Sequence, residues 1–135
     1  MRVVVDTGPL VAIFGRDDPY RDACEGALQS IHTPMLTTWA VLTEAAWLLR
    51  NEPKAITDIM ESFAEGLLAV PHLGDSDIRA VSAILDRYRD LKPQLADATI
   101  VHLAERESAD AIFTLDRRDF SVYRTTRRRE FRIVP

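Results

Sequence analysis

Val3-Val4-Val5 places three β-branched residues in a row with no polar residue among them. A strand with one wet face alternates apolar and polar residues, so a run of this kind has to be covered on both sides. Such cover is the rule in parallel sheets flanked by helices. Ala111-Ile112-Phe113-Thr114-Leu115 repeats the pattern, and each run ends on an acid, Asp6 and Asp116. Both aspartates are thereby expected at the carboxyl ends of buried strands, where open α/β sheets build their sites.

The intervening chain alternates helix and strand signals. Gly8-Pro9 predicts a turn into a short helix carrying Leu10, Val11, Ile13 and Phe14, and Asp17-Asp18-Pro19 predicts the start of another over residues 20–30. A second strand is expected at Met35-Leu36-Thr37, with Thr38 capping a helix that runs to Arg50. Ile56, Ile59, Met60, Phe63 and Leu67 recur at helical spacing after Pro53, and residues 67–70 offer a third strand. Ile78, Val81, Leu85 and Tyr88 mark a helix over residues 75–91, broken by Lys92-Pro93, and a further helix is expected over residues 94–107. Residues 111–115 and 131–134 complete the set of about five strands. This rhythm predicts a three-layer α/β/α domain with a central parallel sheet. With 135 residues, 47% of them hydrophobic, and no repeat or linker, one domain spanning 1–135 is expected.

Cys24 is the only cysteine, which excludes an internal disulfide and a cysteine-based zinc cluster. The opening Met1-Arg2-Val3-Val4-Val5-Asp6 reaches a charge after three apolar residues, unlike a signal peptide, and no segment has the ~20 apolar residues of a membrane span. A soluble cytoplasmic protein without membrane association is expected. The net charge of -4 is unevenly spread: residues 117–135 hold seven of the 17 basic residues but only Asp119 and Glu130 of the 21 acids. Arginine offers planar donors suited to phosphate oxygens, so Arg117, Arg118, Arg127, Arg128 and Arg129 are candidates for gripping a polyanion; the alternative is a solvated edge.

Two more acids sit among apolar helical residues. Glu44 has Ala40, Val41, Trp47 and Leu48 at i±3 and i±4, and Asp97 has Ile100 and Val101 ahead and Pro93 behind, with no lysine or arginine at these positions. Burying a carboxylate without a partner is costly, so each is either half exposed near a helix end or part of a site. If Asp6, Glu44, Asp97 and Asp116 converge, their repulsion demands protonation, separation or a cation. Hard divalent ions such as Mg²⁺ or Mn²⁺ take oxygen ligands and are held by one or two carboxylates plus water and phosphate. His32, His72 and His102 show no metal spacing and read as structural or surface residues.

Taken together, Val4-Val5-Asp6-Thr7-Gly8-Pro9-Leu10, Glu44 after Thr37-Thr38, Leu95-Ala96-Asp97-Ala98, Thr114-Leu115-Asp116-Arg117-Arg118-Asp119-Phe120 and the closing Arg129-Glu130-Phe131-Arg132-Ile133-Val134-Pro135 resemble the PIN-domain ribonucleases, specifically the VapC-like toxins of toxin-antitoxin pairs. The resemblance implies a PIN-like fold and Mg²⁺-dependent endonucleolytic cleavage of RNA leaving 5′-phosphate and 3′-hydroxyl ends. It implies Asp6 and Asp97 as metal ligands, Glu44 and Asp116 as completing the catalytic cluster, and Asp119 and Thr114 as accessory. It also implies a VapB-like antitoxin whose tail fills the acidic groove, a second role open to the arginines, and a homodimer to which the stripes over residues 56–67 or 78–88 can contribute. Two other readings stand beside it. An aspartyl-phosphate phosphatase also starts from a strand-terminal aspartate, although Asp6-Thr7-Gly8 lacks the second acid two residues on. A metal-binding RNA or protein interaction module without nuclease activity needs the acids only as structure.

Overall fold

Val3–Val5 forms β1, the middle strand of a five-stranded parallel sheet in the computed structural model, which describes residues 1–135. Along the chain follow α1 (Thr7–Phe14), α2 (Arg21–Leu28), β2 (Met35–Leu36), α3 (Trp39–Leu48), α4 (Pro53–Ala64) and β3 (Leu68–Ala69). The second half comprises α5 (Asp75–Arg87), a 3-10 turn (Arg89–Leu91), α6 (Leu95–Arg106), β4 (Ala111–Phe113), the short α7 (Arg117–Phe120) and β5 (Ile133–Val134). The strand order is β3-β2-β1-β4-β5.

That order fixes the layers. The chain steps from β1 through β2 to β3 in one direction and then crosses back to β4 and β5 in the other. Because parallel crossovers are right-handed, α1 to α4 cover one face and α5 to α7 the opposite one. α1 lies on α2, α3 and α4, while α5 packs along α6, which lies on β1 and β4; α3 also meets α6. The direction reverses between β1 and β4, so the carboxyl-end crevice of this fold opens after Val5 and Phe113.

The all-apolar strands are buried on both sides as expected, with Val3, Val4, Val5, Ile112 and Phe113 fully inaccessible in a shared core. The stripe of α4 is spent largely on that core, through Ala55 and Ile59, with Ile56 and Phe63 packed against it. Of the other stripe, Val81 and Tyr88 turn inward, Ile84 packs on the core in place of the expected Leu85, and Ile78 is exposed. No helix is long and apolar enough to cross a membrane.

Several boundaries differ from the sequence expectation. Gly8-Pro9 is no turn: α1 begins directly after Asp6, and Pro9 is tolerated because the first-turn amides have no intrahelical acceptor. Gly8 instead lies close against the next stretch of chain, since a Cβ there would crowd the Leu115 side chain at 3.2 Å. The fourth strand stops at Phe113 rather than Leu115. The Thr114 amide makes one last rung to the Val134 carbonyl (2.9 Å), after which the chain turns into α7, a helix too short to leave a periodic signal. Only Ile133–Val134 of the expected fifth strand is extended in the sheet. The helix expected to reach residue 91 ends at Arg87 and continues as the 3-10 turn, which Lys92 (φ 50°) and Pro93 terminate.

Candidate active site

At the carboxyl edge, a cavity of about 440 Å³ is lined by Asp6, Glu44, Asp97, Asp116 and Asp119, together with Thr7 and Gln94, and by no basic residue. Five carboxylates from four separate stretches of sequence therefore meet at the topological switch point.

Asp6 stands at the amino end of α1, where an aspartate commonly caps the helix. Its side chain makes no such bond. The reason lies in sheet register: Val5 pairs with Phe113, so Asp6 comes level with Thr114, whose hydroxyl donates to Asp6 Oδ2 at 2.7 Å. The same oxygen of Thr114 accepts the Asp116 amide at 3.0 Å. One buried hydroxyl thus couples the acids that follow β1 and β4. Asp116 does not end a strand, as the sequence suggested. It caps α7, accepting the Asp119 amide at 3.0 Å, and remains exposed.

Asp97 and Glu44 are brought in by the meeting of α6 with α3. Thr38 caps α3 through the Val41 amide (3.3 Å), and its hydroxyl lies 2.9 Å from that of Thr99 on α6. This buried pair links the two helices that carry the acids. On the outer side of α6, Asp77 of α5 binds His102 Nε2 at 2.7 Å and Arg106 at 3.1 Å, and receives the Gly74 amide at 2.8 Å. Those donors hold the Asp77 carboxyl well below the usual range, His102 first among them. His102 is therefore structural, and no histidine lines the acidic cavity.

Glu44 departs from expectation in one respect. Its helical neighbours Trp47 and Leu48 do not form a buried face; they are 64% and 52% exposed, because α3 sends Val41, Leu42, Ala45 and Leu49 inward instead. Glu44 is half-buried at the boundary between core and surface. The Arg50 guanidinium covers the Trp47 ring at 4.1 Å.

The crowding registers in the proton affinities. Burial pushes Asp97 up to about 7, and the charges of Asp6, Asp119 and Asp116 add to it; the Tyr123 hydroxyl, 3.3 Å from Oδ2, partly opposes the shift. Burial also raises Asp6 beyond what the Thr114 and Thr7 hydrogen bonds recover, with a further push from Asp116. Glu44 is raised by burial and by Asp6, and Asp119 by burial and by Asp116, with Arg118 acting against it. These are the marks of carboxylates forced together in a low-dielectric crevice.

Tyr123 was not apparent from sequence. It is fully buried, edge-on to Tyr88 and Phe120 with centroids 5.0 and 5.4 Å away, and only the fold brings it across 26 positions to Asp97. Thr7 is the other addition. Its buried hydroxyl has no hydrogen-bond partner although it lines the cavity, an arrangement that calls for a bound water or ligand. Its position beside Asp6 was the available signal.

The donor set fits a hard cation: oxygen ligands, net negative charge and an unpartnered hydroxyl. The side chains do not close into a complete cage of three or more ligands around one point. An ion retained by one or two carboxylates, with water and phosphate in its other positions, does not require such a cage.

The arginines divide. Arg117 and Arg118 lie on α7, exposed, beside Asp116 and Asp119. Arg127 and Arg129 line a different cavity with Ser108, Ala109 and Asp110, which precede β4 and so lie at the amino edge of the sheet; it shares no residue with the acidic one. Arg128 is exposed between them.

Comparison with known proteins gives concordant matches. The sequence pattern of the PIN domain matches residues 3–125. Ribonuclease VapC26 of Mycobacterium tuberculosis is 28% identical over 135 residues, covering 98% of this chain and 100% of that protein. Among solved structures, Mycobacterium tuberculosis VapC20, described as a sarcin-ricin loop cleaving toxin, superposes with a TM-score of 0.75 at 17% identity, over 86% of this chain and 91% of that one. A toxin-antitoxin complex from Klebsiella pneumoniae gives a TM-score of 0.65 at 15% identity, over 90% and 92%.

Proposed function

The chain belongs to the PIN-domain family, and from that premise we propose that residues 1–135 act as one PIN-like unit, a divalent-metal-dependent endoribonuclease serving as the toxin of a toxin-antitoxin pair. The observation that carries this reading is the cavity lined by five carboxylates and no base at the switch between β1 and β4. Its likeness to Ribonuclease VapC26 along nearly the whole chain supports RNA as the substrate.

Asp6 and Asp97 are the buried pair and would hold the cation, Mg²⁺ in the cell with Mn²⁺ as a substitute. When bound, the cation supplies the positive charge that water attack on a phosphodiester requires. Thr114 fixes the Asp6 carboxylate, and Tyr123 fixes Asp97 by donating to one of its oxygens. Glu44 and Asp116, less buried, face the same cavity and are suited to orient water and to take a proton from it. Asp119 is an accessory acid on the outer side. Arg117 and Arg118, exposed on α7 between the cavity residues Asp116 and Asp119, are suited to meet RNA phosphate or the acidic groups of a VapB-like antitoxin. The protein works in the cytoplasm, with a homodimer as its assembled form; exposed Trp39, Trp47 and Leu48 offer apolar surface that a partner would cover.

Incubating the purified protein with structured cellular RNA, with Mg²⁺ and then with excess EDTA, tests the reading. Discrete fragments bearing 5′-phosphate ends are expected only with the metal. Intact RNA under both conditions overturns the nuclease assignment, and release of inorganic phosphate in place of internal cleavage points to a phosphatase.

A further inference from the structure

The amino edge of the sheet carries a second polar cavity, of about 590 Å³. Three arginines, Arg127, Arg129 and Arg132, line it among three acids, so its charge looks balanced. The hairpin segment that forms one wall is not balanced: residues 124–132 hold Arg124, Arg127, Arg128, Arg129 and Arg132 against Glu130 alone. Glu105 accepts the Thr126 amide at 2.8 Å and the Thr126 hydroxyl at 2.5 Å; Asp110 accepts the Arg2 amide at 2.7 Å; and Glu130 pairs with Arg124 at 3.3 Å. Only Glu130 is paired with a cation; Glu105 and Asp110 accept neutral donors and keep their charge. Arg127, Arg128, Arg129 and Arg132, by contrast, have no side-chain hydrogen bond or ion pair.

These guanidinium groups are presented on an ordered support. Residues 124–130 form a small hairpin closed by the Arg124 and Glu130 bridge, with the Thr125 amide bonding the Arg129 carbonyl at 3.0 Å and the Thr125 hydroxyl accepting the Arg129 amide at 3.0 Å. Arg128 adopts φ 61° at the tip, donating its amide to the Thr125 carbonyl at 2.8 Å. Through Thr126 and Glu105 the hairpin is pinned to α6, the helix that bears Asp97. The backbone of the turn is ordered before an anion binds, so only the arginine side chains remain to be immobilised. Several planar donors clustered on one turn suit a run of phosphate oxygens better than one small ion.

We propose that this hairpin, with Arg132, is a non-catalytic docking surface for the RNA phosphodiester backbone, on the sheet edge opposite the acidic cavity. The proposal rests on the RNA reading above. It implies that substrate is held at two separated places, so that a folded RNA long enough to reach both edges binds better than a short strand.

The test compares wild-type protein with R127Q/R129Q/R132Q in EDTA, so that cleavage does not enter. The probe is a fluorescent RNA stem-loop, titrated across salt concentrations, with R79Q as a control that changes an exposed arginine outside both cavities. The triple variant should bind more weakly, and its plot of log K against log salt should flatten by roughly 0.7 to 0.9 for each phosphate that the arginines no longer neutralise. Lysine at the three positions should restore most of the slope, whereas R79Q should match wild type. Unchanged affinity and slope in the triple variant, or an equal loss in R79Q, overturns the proposal. So does a variant that keeps its RNA affinity but loses binding to poly-glutamate, which would assign the surface to an acidic protein partner. A protein that binds the stem-loop in this way yet cuts no RNA with Mg²⁺ would refute the nuclease reading and leave the docking surface standing.

Discussion

Replacing Asp6 by asparagine is expected to lower RNA cleavage about 10³-fold, equivalent to about 4 kcal/mol of transition-state stabilisation, while leaving the metal-free protein at least as stable as wild type. The two halves of this expectation have one cause. Asp6 is buried with only the Thr114 hydroxyl as a close side-chain partner, and its charge opposes those of Glu44, Asp97 and Asp116. Asparagine retains an oxygen to accept from Thr114 and carries no charge, so the fold sheds the repulsion among the acids while the cation loses a ligand. A structural aspartate would behave in the opposite way. Turnover measured beside denaturant unfolding separates the cases, and a variant that unfolds more easily yet retains its turnover would contradict the assigned role.

The second large effect concerns pH. Asp97 holds its proton up to about pH 7 in the folded protein, chiefly because of burial and then the charge of Asp6, against a usual value of 3.8. Below about pH 4 the carboxyl is protonated in both folded and unfolded chains and contributes no difference. Between these values the folded protein retains a proton that the unfolded chain has released. Stability of the metal-free protein should therefore fall as pH rises through this window, by on the order of 2 to 4 kcal/mol, and level off above it. Asp97→Asn should flatten much of the decline. Adding Mg²⁺ above pH 7 should restore more stability to wild type than to this variant, because the ion offsets the charges that asparagine has removed. Denaturant midpoints measured across the window check both statements, and a wild-type curve that rises with pH would contradict them.

The readable parts of the chain were those that local pattern determines. Unbroken apolar triplets such as Val3–Val5 can only be doubly covered strands, and Thr38 and Pro53 mark helix starts by chemistry that acts within a few residues. Asp6, Glu44, Asp97 and Asp116 were legible as candidates because each broke an apolar pattern, and the fold gathers them around one cavity. What could not be read depends on residues remote in sequence. The link from Thr114 to Asp6 spans 108 positions and exists because two strands are in register. Tyr123 reaches Asp97 only because α7 packs Phe120 beneath it, and α7 is a single turn set by the Asp116 cap. The arginines looked like one basic stretch in sequence, yet the return of the chain to begin β5 carries Arg127 and Arg129 to the edge opposite the acids. Trp47 and Leu48 show the converse limit, since hydrophobic character alone did not place them inside.

Titration of Mn²⁺ followed by electron paramagnetic resonance tests the central claim, that the carboxylates at the β1 and β4 ends form a divalent metal centre. Wild-type protein at neutral pH should remove Mn²⁺ from the free signal saturably, Mg²⁺ should compete for the site, and Asp6→Asn combined with Asp97→Asn should abolish the binding without unfolding the chain. Saturable Mn²⁺ binding that persists undiminished in the folded double variant would contradict the account.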